Sequence, residues 1–210
     1  MEEVGLKNIP EKTVERLLQY LRLLRRYKYL DQPYIFSHDL ARALKINSVH
    51  VRRDLMLVGI QGNNRTGYDV KKLIEDLEQL LFQTERANAI LVGIENLGTA
   101  TTEYFLSEDS NIRILASFDF YPNRTKSSFP ELLSLGIQEM PDFIAKNKIV
   151  VAVVAVIDDD MESIISLLIN SGIKSIINLS TTKIEVPDNI YLQEFDIITG
   201  IEKSVFFGGF

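Results

Sequence analysis

Cysteine is absent from this chain of 210 residues, which excludes disulfide bonds, zinc–thiolate sites and thiol redox chemistry and is typical of cytoplasmic proteins. No apolar run reaches the roughly 20 residues that a membrane-spanning helix needs. The first residues, Met-Glu-Glu-Val, are acidic and lack the apolar core of a signal peptide. We therefore expect a cytoplasmic protein that makes no membrane contact.

Histidine is scarce as well, and its placement bears on catalysis. His38 and His50 are the two in the sequence, so residues 51–210 contain neither His nor Cys. Proton transfer at a reacting carbon most often uses His, and no arrangement of Tyr or Lys singles out a substitute. Two isolated histidines without cysteine also argue against a metal site. The sequence therefore favours a protein that is not an enzyme.

Charge is divided unevenly along the chain, and the apolar fraction of 46% is enough for a sizeable core. Residues 1–74 carry 14 Lys and Arg against 8 Asp and Glu, a net charge of +6. Residues 75–210 carry 9 against 21, a net charge of −12, which leaves −6 for the whole chain. A basic first third can meet a polyanion such as DNA. Chance variation of the surface is the alternative.

The basic third has a helix-turn-helix pattern. A first helix is predicted from the start signal at residues 8–11, through leucines at helical spacing, to the Asp-Gln-Pro stop at residues 31–33. Ser37 is predicted to cap a second, short helix, and Asn47 or Ser48 to cap a third. Two short helices joined by about three residues are typical of DNA-binding domains.

The third helix carries basic side chains where a recognition helix would enter a major groove. Val49 and Leu55 are expected to face inward, with Val51 and Val58 as further candidates. Arg52 and Arg53 are expected to read guanine or to grip phosphates. The alternative is a solvated helix face on which Arg53 lies near Asp54.

A stretch of turn residues follows the third helix. Residues 62–67 read Gly-Asn-Asn-Arg-Thr-Gly, which suits a hairpin tip, and a hairpin after a helix-turn-helix makes a winged helix. Arg65 at this tip either reaches a minor groove or a phosphate, or is an exposed loop cation. The predicted DNA-binding residues are Ser48, His50, Arg52, Arg53, Asn64 and Arg65.

Strands and helices alternate in the acidic remainder of the chain. An amphipathic helix over residues 70–81 and a linker at residues 83–88 precede it. Near-continuous apolar strands between helices indicate a parallel sheet covered on both faces. The strands are predicted at residues 89–92, 112–118, 149–157 and 176–179, with the clearest helices at residues 99–106 and 161–171.

The first of these strands runs into a turn similar to that of dinucleotide-binding proteins. Gly93 and Gly98 hold two positions of a Gly-x-Gly-x-x-Gly pattern, but Glu95 stands where the middle glycine lets a pyrophosphate approach the backbone. Asp119 ends the next strand, 21 residues after Gly98, near the spacing at which an acid meets a ribose hydroxyl. The alternative is an ordinary polar strand end. Together these residues indicate a Rossmann-type unit.

The order of these motifs resembles the Rex family of redox-sensing transcriptional repressors, and the matches cover nearly the whole chain. They are Ile9-Pro10, Arg16-Leu17, Tyr20-Leu21-Arg22, Val51-Arg52-Arg53-Asp54-Leu55, Gly67-Tyr68-Asp69-Val70, Val92-Gly93, Asn96-Leu97-Gly98, Ala100, Phe118-Asp119, Gly172-Ile173, Ile176, Asn178, Val186-Pro187 and Phe195-Asp196.

The resemblance implies a homodimer that binds double-stranded operator DNA, represses transcription and leaves the DNA when NADH binds. It also implies a switch in which Asp196 pairs with Arg22 of the partner subunit or, with NADH bound, with Tyr104. The NAD(H) site that it implies consists of Gly93, Ile94, Glu95, Asn96, Leu97, Gly98 and Asp119.

Departures from the family lie mostly around the nucleotide site, with Glu95 in place of a glycine and Tyr121 in place of an aspartate. We therefore keep three alternatives beside a redox-sensing repressor. They are a Rex-like regulator that does not sense NAD(H), a small NAD-dependent oxidoreductase, and a dimerising interaction protein that retains only the fold.

The predicted architecture is α/β. A winged-helix DNA-binding domain over residues 1–82 precedes a Rossmann-type, NAD(H)-binding parallel-sheet domain over residues 83–198. The resemblance implies that residues 199–210 form a C-terminal helix that is swapped into the partner subunit.

Overall fold

A computed structural model describes residues 9–29, 32–82, 86–93, 111–121, 132–156 and 161–209. The chain divides into two compact units, residues 1–85 and residues 86–210. No helix in the described ranges combines the length and apolarity that crossing a membrane requires.

The first unit begins with helix α1, Glu11–Tyr29. Its first turn closes on Pro10, whose carbonyl accepts hydrogen bonds from the backbone N–H groups of Thr13 (2.8 Å) and Val14 (3.1 Å). Proline suits this position because it has no N–H of its own to satisfy. The helix ends at Tyr29, just before the predicted stop, and its apolar face buries Leu17, Tyr20, Leu21 and Leu24.

Helices α2 (Ser37–Leu44) and α3 (Ser48–Leu57) form the predicted helix-turn-helix. Lys45, in the left-handed conformation (φ 55°, ψ 40°), reverses the chain between them. Asn47 caps α3, because its side chain accepts the N–H of Val49 at 2.8 Å. The prediction that Ser37 caps α2 is wrong, since Ser37 lies inside the first turn and Phe36 occupies the cap position.

A short two-stranded sheet joins the wing to the helices. Strand β1 (Tyr34–Ile35) pairs antiparallel with β2 (Tyr68–Asp69), and helix α4 (Val70–Leu81) follows over the residues predicted for it. The unit has a cluster of buried hydrophobic residues. It comprises Leu17, Tyr20, Leu21, Leu24, Ile35, Leu40, Ala41, Val51, Leu55, Tyr68, Val70, Leu73, Ile74 and Leu77.

The second unit contains a parallel sheet of six strands among its described residues. They are β3 (Ala87–Val92), β4 (Ile112–Asp119), β5 (Leu133–Gly136), β6 (Val151–Val154), β7 (Ser175–Asn178) and β8 (Tyr191–Glu194). Their spatial order is β5-β4-β3-β6-β7-β8. From β3 the chain adds strands towards one edge of the sheet and, from β6, towards the other. In parallel sheets of this order, ligands bind at the carboxyl ends of the strands beside this change of order.

Three helices are described in the second unit: α5 (Met140–Asn147), which follows a 3-10 turn at Ile137–Glu139, α6 (Met161–Asn170) and α7 (Ile197–Gly208). The four predicted strands and helix α6 are present, although the apolar run at residues 149–157 contributes only Val151–Val154 as strand. Strands β5 and β8 and helix α5 were not predicted. The predicted helix at residues 99–106 lies outside the described residues.

Candidate DNA-binding surface and nucleotide-binding edge

Helix α3 separates its side chains into a buried face and an exposed face. Val51, Asp54 and Leu55 are buried, whereas His50, Arg52 and Arg53 are exposed and Ser48 at the first turn is half-buried. The prediction that Val49 faces inward is wrong: its side chain is 51% exposed. At about 100° per residue, the stripe through Val51, Asp54 and Leu55 leaves position 49 on the opposite side of the helix.

The two arginines of α3 differ in how they are held. Arg52 Nη1 donates a hydrogen bond to Ser37 Oγ on α2 at 3.3 Å. Arg53 has no such partner among the described residues and extends into solvent. Arg52 is therefore tied to the body of the unit, while Arg53 is free to meet a ligand.

The sequence left open a surface position for Asp54 beside Arg53, but the side chain of Asp54 is buried. It is 3% exposed and accepts hydrogen bonds from Arg16 Nε to Oδ2 (2.7 Å), Arg16 Nη2 to Oδ1 (2.7 Å) and the Tyr20 hydroxyl to Oδ2 (2.7 Å). The Thr13 hydroxyl lies 3.4 Å from Oδ1 and accepts a hydrogen bond from Arg16 at 3.1 Å. We call Thr13, Arg16, Tyr20 and Asp54 the α1–α3 network.

The network perturbs the ionisation of its members. Burial alone would raise the pKa of Asp54, but the hydrogen bonds from Arg16 and Tyr20 outweigh it and hold that pKa below its usual value. Burial and the bond to Asp54 raise the pKa of Tyr20, and the bond to Asp54 raises that of Arg16. Asp54 is therefore a buried carboxylate at neutral pH. The signal for it was available: donors spaced three and four residues apart on α1, and an acid on the buried stripe of α3.

The wing tip displays the predicted polar residues. Asn63 and Gly67 pair through two backbone hydrogen bonds of 2.7 and 2.8 Å, and the side chain of Asn63 accepts the backbone N–H of Arg65 at 2.7 Å. Asn64 and Arg65 are exposed. Gly67 has φ +77°, and a Cβ there would collide with the carbonyl oxygen of Ile35, so glycine sets how closely the wing packs on β1.

Gly93 stands at the candidate nucleotide-binding edge of the sheet, directly after β3. It is buried with φ +87°, and a Cβ there would lie 2.9 Å from the carbonyl oxygen of Ala155 after β6. Its N–H donates to the carbonyl of Phe118 at 2.9 Å. The chain therefore has no side chain at Gly93, where it passes between the ends of β3 and β6. The predicted site residues Ile94, Glu95, Asn96, Leu97 and Gly98 lie outside the described residues.

Asp119 closes β4 at the same edge. Its Oδ1 accepts the backbone N–H of Tyr121 at 2.9 Å, and the residue pairs with Gly136 of β5. The structure thus brings Gly93 and Asp119 to the carboxyl ends of adjacent parallel strands.

A buried polar turn lies at the same edge of the sheet, at the end of β7, which is two strands from β3. Asn178, fully buried at the end of β7, donates to the carbonyl of Thr182 at 2.8 Å and accepts the Ser180 hydroxyl at 2.7 Å. Lys183 donates to Glu194 at 2.8 Å, a bond that lowers the pKa of Glu194. In the sequence, Asn178 belongs to a motif only by family resemblance. In the structure, its hydrogen bonds shape this loop.

The three residues of the implied switch are placed differently. Arg22 is exposed on α1, and Tyr104 lies outside the described residues. Asp196 caps α7: its Oδ1 accepts the Thr199 N–H at 2.8 Å and its Oδ2 accepts the Thr199 hydroxyl at 2.6 Å. These two bonds lower the pKa of Asp196.

Two family profiles match the chain, one on each unit. The profile described as "Putative DNA-binding protein N-terminus" covers residues 8–55, and the profile described as "CoA binding domain" covers residues 84–182.

Full-length relatives decide the family. The redox-sensing transcriptional repressor Rex of Listeria welshimeri is 30% identical over 210 residues, which make up 99% of this chain and 95% of that protein. The chain belongs to the Rex family. The Rex of Limosilactobacillus reuteri is 29% identical over 204 residues, 96% of this chain and 94% of that protein.

Solved structures of the Rex-family repressor RSP share the fold. One aligns with a TM-score of 0.82 at 26% identity, covering 95% of this chain and 94% of that chain. RSP in complex with β-NAD+ and operator DNA aligns with a TM-score of 0.86 at 26% identity, covering 94% and 91%. The predicted α/β architecture of a winged helix followed by a Rossmann-type sheet is confirmed.

Proposed function

We propose that this Rex-family chain is a DNA-binding transcriptional repressor whose operator binding responds to the NADH/NAD+ ratio. The observation that carries the proposal is the similarity over nearly the whole chain to RSP, which was crystallised with operator DNA and β-NAD+. A regulator of this kind works in the cytoplasm beside the chromosome, and no catalytic activity is part of the proposal.

The DNA-binding part of the proposal rests on the exposed face of α3. Arg53 extends from it without a partner in the described part of the chain, and Arg52 lies beside it. A recognition helix places such residues against guanine edges or phosphates in the major groove. We assign the same surface to Ser48 and His50, and we assign the neighbouring backbone or minor groove to Asn64 and Arg65 at the wing tip.

The ligand part of the proposal rests on Gly93 and Asp119. The backbone at Gly93 has φ +87° and leaves no space for a side chain beside Ala155, which suits the first glycine of a dinucleotide-binding turn, where the chain bends tightly after the strand. We propose that Asp119, at the end of β4, accepts a hydrogen bond from a ribose hydroxyl. We therefore propose NAD(H) as a sensed ligand, held by Gly93, Asp119 and the turn from Ile94 to Gly98.

Helix α7 supports the proposal of a homodimer. None of its described residues is buried, and its apolar side chains include Phe206 and Phe207, each 78% exposed. An apolar helix without cover in one chain fits an element that is exchanged with a second copy. The resemblance implies a swapped helix over residues 199–210, and the helix of the structure spans Ile197–Gly208.

The switch is proposed in the form that the resemblance implies. Asp196 has a choice between a charge-assisted pair with Arg22 of the partner subunit and a hydrogen bond to Tyr104. A ligand that biases this choice shifts the population that binds DNA.

One observation favours a second candidate, a Rex-like regulator that no longer senses NAD(H). Glu95 places a carboxylate where the family has glycine, beside the position of the ligand phosphates. The two candidates share the DNA-binding surface and differ only in the ligand response.

Two measurements on the full chain test both. Selection from a random duplex library should yield a pseudo-palindromic operator, with affinity that falls steeply as salt rises. Calorimetry with NADH and with NAD+ should show binding, and NADH should lower operator affinity. Failure to enrich any sequence overturns the repressor proposal, whereas operator binding that is indifferent to NADH selects the second candidate.

A further inference from the structure

The strongest polar contact between described elements of the winged-helix unit converges on one carboxylate. Thr13, Arg16 and Tyr20 lie at intervals of three and four residues, so they share one face of α1. All three direct donors at Asp54 on α3, with Arg16 making a two-pronged bond at 2.7 Å on each oxygen. The recognition helix is thereby fixed to α1 through a directional contact.

Directionality distinguishes this contact from the packing around it. Val51 and Leu55, the apolar neighbours of Asp54 on α3, lie in the core, and the hydrophobic effect that buries them is non-directional. A paired guanidinium and carboxylate are directional, because two parallel hydrogen bonds constrain both distance and angle. The α1–α3 network therefore sets the rotation of α3 about its own axis.

That rotation decides where Arg53 extends. Arg53 immediately precedes Asp54, so its direction is fixed about 100° away from the buried carboxylate. Arg53 has no hydrogen bond or ion pair of its own within the described ranges, and nothing else on its side chain orients it.

We propose that Asp54 is a positioning residue for operator recognition, which fixes α3 on α1 so that Arg53 meets the base edges in register. This inference rests on the proposed function, because it concerns how the operator is read. Arg16 and Tyr20 share the role as the two partners that hold the carboxylate.

The direction in which Asp54→Asn changes DNA affinity distinguishes a positioning role from a purely electrostatic one. Asp54→Asn removes a negative charge beside two exposed arginines, so electrostatics alone strengthens binding to any DNA. A positioning role predicts weaker operator binding instead, because an α3 that is less firmly held loses contacts to the bases. Specific binding should weaken while non-specific binding stays constant or strengthens.

The experiment compares Asp54→Asn and the milder Arg16→Lys with a matched control, Glu78→Gln. The control removes the charge that accepts Arg25 from α1 at 2.8 Å, a second inter-helix ion pair that does not involve α3. Affinities for the selected operator and for a scrambled duplex are measured on the full-length protein, with circular dichroism to confirm folding.

Operator affinity should fall about tenfold in Asp54→Asn, with the scrambled duplex bound at least as tightly as by wild type and with the control unchanged. A double-mutant cycle with Arg53→Ala should be non-additive, because a residue that acts through Arg53 has little left to affect once Arg53 is gone. Additive losses, or equal losses on both duplexes, overturn the positioning role.

Hydrogen exchange of the α3 amides gives a readout that needs no DNA. Exchange should accelerate over Ser48–Leu57 in Asp54→Asn and in Arg16→Lys, but not in Glu78→Gln. Unchanged exchange together with unchanged operator affinity overturns the inference and leaves the proposed function intact. A wild-type protein without any operator overturns the proposed function, and the exchange result then decides by itself whether the network fixes α3.

Discussion

Asp54 of the winged-helix unit and two aspartates of the sheet unit, Asp119 and Asp196, form their hydrogen bonds over very different distances in sequence. In the winged-helix unit, Asp54 bonds to residues 34 to 41 positions away in sequence. In the sheet unit, Asp119 bonds to a backbone group two residues away and Asp196 to one three residues away. The first arrangement joins separate helices, and the second shapes one loop or helix end at a time.

This difference in range separates two kinds of consequence. A change in the α1–α3 network alters how two helices pack, so its effect should spread through the whole winged-helix unit. A change at Asp119 should stay at its own turn, because the strands behind it are held by backbone ladders and apolar packing. The predictions below test this contrast, from the largest expected effect to the smallest.

Arg16→Ala should destabilise the winged-helix unit by about 3 kcal/mol, because it leaves Asp54 buried without its charged partner. Lys183→Ala in the sheet unit removes the partner of Glu194, but Lys183 is 73% exposed, so its cost should be far smaller than that of Arg16→Ala. Urea unfolding of the two variants gives both values. Equal losses would contradict the contrast between the units.

The same network predicts a pH dependence. Since the pKa of Asp54 is lowered in the folded protein, its contribution to stability is fully present above the unfolded aspartate pKa of about 3.9. That contribution is lost as pH falls toward the folded pKa. The stability advantage of wild type over Asp54→Asn should therefore be constant near neutral pH and shrink below about pH 5. An advantage that grows with acidity would contradict the assignment.

Arg53→Ala should weaken operator binding by roughly 1–3 kcal/mol if the side chain contacts a base. The matched control is Arg113→Ala, an exposed arginine of the sheet unit, which should leave operator affinity within error of wild type. Fluorescence anisotropy at two salt concentrations measures both. Operator binding by Arg53→Ala that equals wild type would show that α3 does not read the sequence through this residue.

Asp196→Ala should lower the helicity of α7, because it removes the N-cap of that helix. Asp196→Asn keeps the cap, because asparagine caps as well as aspartate, but removes the charge. If Asp196 also pairs with Arg22 of the partner subunit, both variants should alter operator affinity or its NADH dependence. A DNA effect confined to the alanine variant would mean that Asp196 acts only as a cap.

Glu95→Gly should tighten NAD(H) binding, because it removes both bulk and negative charge from the predicted phosphate turn. We expect this to be the smallest of the effects, since a surface turn can direct a carboxylate to solvent. Calorimetry on the wild type and the variant measures it. Unchanged or weaker affinity would contradict the account of Glu95.

Local patterns predicted much of the fold. The helix-turn-helix, the wing, helix α4 over Val70–Leu81 and four of the parallel strands follow from periodicity, capping and turn residues. Strands β5 and β8 were not predicted, because Leu-Ser-Leu-Gly and Tyr-Leu-Gln-Glu are short edge strands without a continuous apolar run. Their pairing with a neighbouring strand, rather than their own composition, makes them strands.

The site was predicted less completely, for a related reason. The exposed arginines of α3 follow from helical spacing, but the partner of Asp54 lies 38 residues away in sequence, and one sequence does not state which distant residues meet. Ser37 was wrongly predicted as the N-cap of α2, because a serine before an apolar turn is a common cap. In the structure Phe36 holds the cap position, and the carboxylate of Asp39 accepts the Phe36 N–H at 3.2 Å.

Helix α7 has a consequence for how the protein must be handled. In the homodimer that we propose, a second chain covers Phe206, Phe207 and their apolar neighbours, which a single chain leaves exposed. Folding is then coupled to association, and the thermal midpoint becomes a function of protein concentration. Dilution alone should lower the midpoint, and a stock kept concentrated should outlast the same protein stored dilute.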